Sequence, residues 1–304
     1  MIKPHVQNEY SLIKKVVLGI ADNFGGCPTI EDAYDPKSKE NILRKTFPIE
    51  SELIHELSAF EKVLKKYNVH VIRPENIFNC NQVFARDVGF VIENKLFLSN
   101  MINKRSLEIQ GLELVLKQIN SNSIYDLPSD ICVEGGDVIV AENYLFIGFS
   151  NSEDFSRYEV ARTNTNAINY FQTLFPDKKV VGFELNKSDT NPYVNCLHLD
   201  CCFQPLGLGH VLVCPAGFKN PHDLNVISSI YGEKNMIIIS DNEMYNMFSN
   251  IFSISNSDII SDVKFSRLNN LLKLKGYNIE CISFVETSKM GGLFRCTTLP
   301  LERL

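Results

Sequence analysis

The sequence predicts an α/β protein built as a ring of five similar units, each made of two short strands, a helix and a further strand. The first observation is a spacing: residues that open a predicted strand pair recur after 50, 63, 50 and 46 residues, at Asp87, Asp137, Asp200, Asn250 and Cys296. The second is that an apolar hairpin pattern follows each of them. The third is that the two ends of the chain supply the pieces of one unit. In a ring of this kind, equivalent positions converge on the central axis.

Four units read continuously along the chain. Alternating apolar strands flank short turns, and apolar residues at helical spacing follow them. In chain order the predicted pieces are strands 88–92 and 95–99 with helix 106–119; strands 138–141 and 144–149, helix 158–174 and strand 179–185; strands 201–205 and 210–214, helix 224–231 and strand 235–240; and strands 251–255 and 258–262, helix 265–274 and strand 278–284.

The fifth unit is split between the ends of the chain. Its strand pair combines residues 297–301 with residues 13–20, and helix 50–67 and strand 69–72 complete it. The alternative is coincidence, because Asp and Asn often stand at strand ends for reasons of turn geometry. No Pro-, Gly- or Ser-rich linker divides the chain, so we expect one domain over residues 1–304.

Composition restricts the class of protein. The chain has 304 residues, of which 44% are hydrophobic and 22% charged, as in ordinary globular proteins. A net charge of −6 argues against a nucleic-acid partner, and the lack of a run of 18 apolar residues argues against a membrane span. Nine cysteines without a secretory signal fit the cytoplasm, and their spacing suggests no metal site. A homo-oligomer is compatible with the sequence.

Cys296 is the candidate nucleophile. Two glycines, Gly291 and Gly292, precede it and allow close backbone packing beside a pocket. Arg295 stands next to the thiol and favours the thiolate, which is the reactive form. We interpret the other cysteines as buried filler, the usual place of a free cysteine.

Several carboxylates and a histidine accompany this thiol in the upstream motifs. Carboxylates raise the pKa of a thiol, so they make sense around it only if the substrate is a cation. A guanidinium fits best, because its forked N–H donors match carboxylates in bidentate geometry. Thiolate attack on its carbon would give a tetrahedral adduct, and His198 could protonate the leaving amine and then activate water.

Four motifs together resemble the guanidino-group-modifying superfamily of arginine deiminase, dimethylargininase and glycine amidinotransferase. They are F-A-R-D at 84–87, E-G-G-D at 134–137, H-L-D at 198–200 and G-G-x-x-R-C-x-T-x-P at 291–300. The resemblance implies the five-bladed α/β propeller called the pentein fold, without a cofactor. It implies that Cys296 is the nucleophile, His198 the general acid and base, and Glu134 the carboxylate that orients the site. Asp87 and Asp200 would hold the guanidinium.

Further contacts are expected around the substrate. Arg162 resembles a carboxylate-binding arginine of arginine deiminases, and Arg105 is either a second one or a solvated arginine at a helix end. Asp137 is either a substrate ligand or a cap of the strand turn. Asn250, at the equivalent position of the fourth unit, is included among the substrate contacts.

The favoured activity is hydrolysis of L-arginine to citrulline and ammonia through an amidino group bound to Cys296. Amidino transfer to an acceptor amine and a dihydrolase reaction that releases ornithine are the alternatives. A non-enzymatic pentein, which binds a guanidino compound or a ribosome, is a further alternative that would not need the cysteine, histidine and carboxylates.

Overall fold

The computed structural model describes residues 1–304 and contains five separate three-stranded sheets, as the five-unit α/β ring requires. The strands are β1 (Ile13–Leu18), β2 (His70–Ile72), β3 (Gly89–Ile92), β4 (Lys95–Leu98), β5 (Ile124–Asp126), β6 (Val138–Ala141), β7 (Tyr144–Phe149), β8 (Lys179–Glu184), β9 (Phe203–Pro205), β10 (Val211–Val213), β11 (Met236–Ile238), β12 (Phe252–Ser253), β13 (Asp258–Asp262), β14 (Asn278–Ile282) and β15 (Thr298–Arg303).

Ten α-helices, most of them short, connect or precede the strands. They are α1 (Pro36–Leu43), α2 (Glu50–Lys66), α3 (Ala85–Val88), α4 (Glu113–Leu116), α5 (Ser152–Arg157), α6 (Asn166–Leu174), α7 (Asp223–Tyr231), α8 (Asp241–Tyr245), α9 (Ser266–Leu274) and α10 (Val285–Ser288). No helix combines the length and the apolar character that a membrane span needs.

All five sheets share one topology. In each, an antiparallel pair is joined to a third strand that runs parallel to the middle one: β3-β4-β5, β6-β7-β8, β9-β10-β11, β12-β13-β14 and β15-β1-β2. The last sheet places β1 between β15 and β2, with Val17 opposite Leu299. The predicted closure of the ring by the two chain ends is therefore confirmed.

The predicted elements depart from the structure in two units. Residues 103–112 form a 3-10 helix and α4 covers only four residues, so the predicted α-helix over 106–119 is wrong in type. Gly111 lies directly against the loop before α3, where an added Cβ would sit 2.1 Å from the Gln82 side chain. The predicted helix over 158–174 begins only at Asn166, because residues 158–165 are not helical and Ser150 bonds to Thr163. Strand β5 was not predicted.

Short helical turns at the start of the strand pairs carry the candidate site. Helix α3 precedes β3, a 3-10 turn at Gly135–Asp137 precedes β6, and another at Leu199–Cys201 precedes β9. The turn that contains Cys296 precedes β15. Because the five units face a common axis, these turns bring residues that are far apart in the chain into contact.

The N-terminal segment 5–11 crosses the ring rather than forming a strand of one sheet. His5 makes a bridge to Glu302, Val6 to Glu93 and Asn8 to Ala141, so the segment contacts three different units. Its carboxylate, Glu9, is buried.

An aromatic cluster joins α2 to the turn that carries Cys296. Phe60, fully buried, makes edge-to-face contacts with Phe252, Phe284 and Phe294 at centroid distances of 5.8, 5.7 and 5.3 Å. Phe294 lies two residues before Cys296. The helix thus supports the site through packing, which aromatic pairs strengthen beyond their buried area.

We expect Phe60→Ala to lower the free energy of unfolding by about 3–5 kcal/mol, because it leaves a cavity among these rings. Urea titration at equilibrium measures the effect. Glu52→Ala, on the exposed face of the same helix, is the control and should change it by less than about 0.5 kcal/mol. Equal effects of the two variants would contradict the packing role of Phe60.

Candidate functional site

A small cavity near the centre of the ring brings together most of the expected site residues. Its walls are Tyr34, Asp35, Phe84, Asp87, Arg105, Arg162, Leu197, His198, Met290, Gly291, Gly292 and Cys296. The enclosed space is about 10 Å³, which is room for about one water molecule. Glu134, Asp137, Asp200 and Asn250 are not among its wall residues, although Oδ2 of Asp200 lies 3.6 Å from Sγ of Cys296.

Cys296 is held by Asn250. The amide Nδ2 of Asn250 donates a hydrogen bond to the thiol Sγ at 3.1 Å, and its Oδ1 accepts from the backbone N–H groups of Cys296 and Leu293. These three bonds fix the turn and the direction of the thiol. The structure therefore places Asn250 against the thiol of Cys296, and Asn250 is not among the wall residues of the cavity.

The thiol of Cys296 is 3% exposed and lies beside carboxylates. Burial, Asp200 and Asp87 raise its pKa well above the ordinary value. The Oδ2 atom of Asp200 lies 3.6 Å from Sγ and 2.8 Å from Nη1 of Arg295. At neutral pH the thiol is therefore protonated, although Arg295 stands next to it in the sequence.

His198 lies between two carboxylates. Its Nε2 is 3.0 Å from Oε2 of Glu134, and its Nδ1 is 3.6 Å from Oδ1 of Asp87. Burial alone would lower the pKa of His198, but Asp87, Asp137 and Glu134 offset this and raise it to about 9. The ring is therefore an imidazolium at neutral pH, which is the form that can give a proton to a leaving amine.

Glu134 is fully buried and stays ionised. Burial would raise its pKa, but Arg162, the hydrogen bond from His198 and Arg105 lower it far below the ordinary value. Nη1 of Arg162 lies 3.2 Å from Oε1, and Nη1 of Arg105 lies 3.3 Å from Oε2. A fixed carboxylate with these partners can orient His198.

Arg105 is 3% exposed and belongs to the site, so the interpretation as a solvated arginine at a helix end is wrong. It donates to Asp87 at 2.8 Å and makes a bidentate pair with Glu108 at 2.7 and 2.8 Å. Its guanidinium carbon and that of Arg162 lie 5.5 and 5.6 Å from the centre of the Tyr34 ring. Tyr34 therefore occupies the space between the two arginines.

Asp137 has a structural environment. Its Oδ2 accepts from the Thr163 hydroxyl at 2.6 Å and its Oδ1 accepts from the backbone N–H of Leu199 at 2.9 Å. Both oxygens are thus engaged in joining the second unit to the segment of His198. Gly136 packs directly against the His198 ring, where an added Cβ would lie 2.6 Å from the ring.

Sequence reasoning missed four residues that complete the site: Glu9, Tyr34, Asp35 and Glu108. Glu108 follows Arg105 by three residues, a spacing that suggests an ion pair on a helical segment. The other three lie in segments without a motif, so nothing in the sequence indicated them. Arg86 and Arg295 are buried and are not among the wall residues of the cavity.

The ligand atoms of Asp87, Glu134 and His198 lie within 4.8 Å of one another. Arg105 and Arg162 already bind the two carboxylates, and His198 is cationic at neutral pH. These positive groups hold Glu134 and Oδ2 of Asp87, whereas Oδ1 of Asp87 accepts no hydrogen bond. The arrangement suits proton transfer and contact with a planar cation better than it suits a metal.

The fold and this site define a class. Buried cysteine, histidine and paired carboxylates at the axis of a five-unit α/β ring are the arrangement expected of guanidino-modifying penteins. Residues 31–303 match the family model described as N,N dimethylarginine dimethylhydrolase, eukaryotic. The chain belongs to that family, within the guanidino-modifying enzymes, and the fold prediction is confirmed.

Sequence relatives support the same family. The chain is 30% identical to the uncharacterized protein YkgA of Bacillus subtilis over 304 residues, which cover 98% of this chain and 94% of YkgA. It is 28% identical to the bifunctional arginine dihydrolase/ornithine cyclodeaminase ArgZ of Synechocystis sp. over 226 residues. That match covers 72% of this chain but 29% of ArgZ.

Solved structures show the same fold at lower identity. The N-terminal domain of ArgZ, bound to substrate, has a TM-score of 0.78 and 20% identity, covering 95% of this chain and 98% of that domain. Inosamine-phosphate amidinotransferase StrB1 of Streptomyces griseus has a TM-score of 0.75 and 16% identity, covering 100% of this chain and 97% of StrB1.

We expect the protonated His198 to stabilise the fold in a defined pH range. Its folded pKa of about 9 lies above 6.5, so the contribution is fully present below pH 6.5 and is lost as the pH rises through about 9. We expect the free energy of unfolding of the wild type, measured with urea, to fall between pH 6 and pH 10 by on the order of 3 kcal/mol more than that of His198→Gln.

His210→Gln is the matched control for this measurement, because burial lowers the pKa of His210. This variant should keep the dependence of the wild type between pH 6 and pH 10. If His198→Gln also kept that dependence, the imidazolium assignment would be refuted.

Proposed function

We propose that this protein hydrolyses a C–N bond of a guanidino compound, with L-arginine as the favoured substrate and citrulline and ammonia as products. The observation that carries the proposal is that Cys296, His198 and Asp87 line one cavity, with Glu134 behind the histidine. A thiol, an imidazolium and a carboxylate are the groups needed to attack, protonate and hold a guanidinium.

The first half of the reaction uses the thiolate of Cys296. A bound guanidinium brings positive charge next to Asp87 and so removes part of the cost of the thiolate that burial and the carboxylates impose. The thiol releases its proton to solvent, and the thiolate sulfur attacks the central carbon and forms an S–C bond. His198 gives its proton to a terminal nitrogen, the C–N bond breaks and ammonia leaves, so that a cationic amidino group stays on sulfur.

The second half uses the neutral His198 that remains. The imidazole takes a proton from water, whose oxygen attacks the amidino carbon. The S–C bond breaks, the thiolate of Cys296 leaves, and the product loses a proton to ammonia to give citrulline and ammonium. A variant of the ArgZ N-terminal domain is covalently bonded to a reaction intermediate, which supports a covalent route in a structural neighbour.

Substrate choice is supported by the arginines of the cavity wall. Arg162 lies 2.9 Å from the carbonyl oxygen of Tyr34 and 3.2 Å from Glu134, with its guanidinium facing the Tyr34 ring. We propose that it binds the α-carboxylate of an amino-acid substrate. A buried arginine recognises a carboxylate in a charge-assisted geometry, and this would favour arginine over simple guanidines.

Two other activities have specific support. The family match favours a methylated arginine as substrate, and the similarity to ArgZ favours removal of both terminal nitrogens with release of ornithine. Amidino transfer differs in both halves: the substituted nitrogen of arginine leaves as ornithine in the first half, and an acceptor amine replaces water in the second.

Cys296→Ser should lower turnover by several orders of magnitude, because it removes the covalent catalyst. Mass spectrometry of rapidly quenched wild-type protein with arginine should show an amidino adduct on the peptide of Cys296. Cys281→Ser changes an exposed cysteine and is the matched control; it should keep wild-type turnover. Undiminished activity of Cys296→Ser would disprove the mechanism.

L-Arginine should be a better substrate than agmatine, which lacks the carboxylate. A charge-assisted pair contributes about 1.5–3 kcal/mol, so its loss should lower kcat/KM by roughly one to two orders of magnitude. Arg162→Ala should remove the preference, whereas Arg157→Ala, on the exposed α5, should keep it. Equal rates on arginine and agmatine in the wild type would rule out the carboxylate clamp.

Chromatography of the products in the same assay separates the activities. Citrulline with ammonia supports deimination, ornithine with ammonia alone supports the dihydrolase, and ornithine that forms only with an acceptor amine supports transfer. Adding N,N-dimethylarginine to the panel tests the activity named by the family. No turnover of any of these compounds would contradict guanidino chemistry in this protein.

A further inference from the structure

A cluster of buried charges lies beneath the candidate nucleophile, outside the cavity. Three arginines and two carboxylates form it: Arg86, Arg295, Arg303, Glu9 and Asp200. None of the five is among the wall residues of the cavity. Their charges do not balance, because three guanidinium groups face only two carboxylates. We call this set the axial charge cluster.

Glu9 is the centre of the axial charge cluster. Its two oxygens accept a bidentate pair from Arg295, with Nη2 at 3.0 Å and Nε at 3.2 Å. Nη2 of Arg86 lies 3.8 Å away. Burial would raise the pKa of Glu9, but Arg295, Arg86 and Arg303 lower it to about 2.

Arg295 links Glu9 to the site. The Arg295 guanidinium pairs with Glu9 through Nε and Nη2. Its Nη1 donates a hydrogen bond to Oδ2 of Asp200 at 2.8 Å. The same oxygen lies 3.6 Å from Sγ of Cys296. Arg295 also donates to the carbonyl oxygen of Val138 at 2.8 Å, so its plane is fixed. A continuous chain of contacts thus runs from the N-terminal segment to the thiol.

We propose that Glu9 is a positioning residue, which fixes Arg295 and thereby holds the Asp200 carboxylate against the thiol of Cys296. The N-terminal segment 5–11 crosses three units and delivers this carboxylate to the axis. The inference rests on the proposed role of Cys296 as nucleophile. It adds that the charge beneath the nucleophile is set by a residue that never contacts the substrate.

The charges that face Cys296 determine the direction of the effect. Asp200 and Asp87 raise the pKa of the thiol, and the neutral thiol of Cys201 lies near it. His198 faces it across the cavity, and the backbone N–H of Arg86 donates to the Cys296 carbonyl oxygen at 3.0 Å. Loss of the Glu9 charge leaves three guanidinium groups against Asp200 alone. The extra positive charge favours the thiolate.

The test is the pH profile of alkylation of Cys296 by iodoacetamide, read on the peptide that contains it because other cysteines are exposed. Glu9→Gln should move the midpoint down by about one pH unit, which is a tenfold larger thiolate fraction below the midpoint. Glu9→Asp keeps the charge and should return the midpoint towards that of the wild type. These measurements need no turnover.

Glu142→Gln is the matched control. Glu142 accepts hydrogen bonds from Asn8 and Tyr10, on either side of Glu9, but does not contact Arg295. It should leave the midpoint unchanged, which separates the proposal from a general loosening of the segment. A wild-type profile in folded Glu9→Gln, or an equal shift in Glu142→Gln, would overturn the proposal.

Arg303→Gln covers the case in which Glu9→Gln does not fold. Burial and the neighbouring arginines lower the pKa of Arg303 to about 9, although Glu9 partly offsets them, so its removal relieves repulsion. At pH 7, where Arg303 is charged, this variant removes a positive charge from the axial charge cluster and should slow the alkylation of Cys296. An unchanged rate of alkylation at pH 7 counts against the proposal. If the midpoints shift as expected but no guanidino compound is turned over, only the proposed function fails.

Discussion

The site depends on the pairing of buried charges. Glu134, Asp87 and Asp200 lie in the interior, where an isolated carboxylate would be strongly destabilising. Each is matched: Glu134 by Arg162 and His198, Asp87 by Arg105, and Asp200 by Arg295. The arginines therefore stabilise the ionised carboxylates that lie beside the thiol. Removing either member of such a pair leaves an uncompensated charge, so these groups form one unit.

The five-unit ring makes this pairing possible. Each unit supplies one short turn at the axis, and no turn by itself holds a complete set of charges. The partners of Glu134 come from residues 28, 29 and 64 positions away. Such contacts form only when the sheets are assembled, so the geometry of the site depends on closure of the whole ring. The parallel contact of β1 with β2 and its antiparallel contact with β15 close that ring from the chain ends.

The sequence predicted the positions that head the units, and it predicted the cysteine, histidine and carboxylates, because these recur at a regular distance and lie in motifs. It failed where tertiary contacts override local preference. Strand β5 directly follows a 3-10 turn at Ser121–Ser123 and is defined by its parallel pairing with β4, a long-range contact that the sequence did not indicate. The segment with Gly111 packs against the loop before α3 and becomes a 3-10 helix. Glu9 and Tyr34 meet the site only through long-range contacts, and Arg105 looked like a surface residue because its partners are distant in the chain.

A thiol with a raised pKa among carboxylates has a consequence for selectivity under the proposed function. Burial, Asp200 and Asp87 raise the pKa of the Cys296 thiol and so disfavour the reactive thiolate at neutral pH. A cation in the cavity offsets the carboxylate charge, and the thiolate becomes accessible at the moment when its target is bound. A neutral or anionic electrophile of similar size brings no positive charge and leaves the pKa of the Cys296 thiol raised. Selection for a guanidinium then acts on the reactivity of the nucleophile as well as on binding, and it follows from the same buried charges that hold the site together.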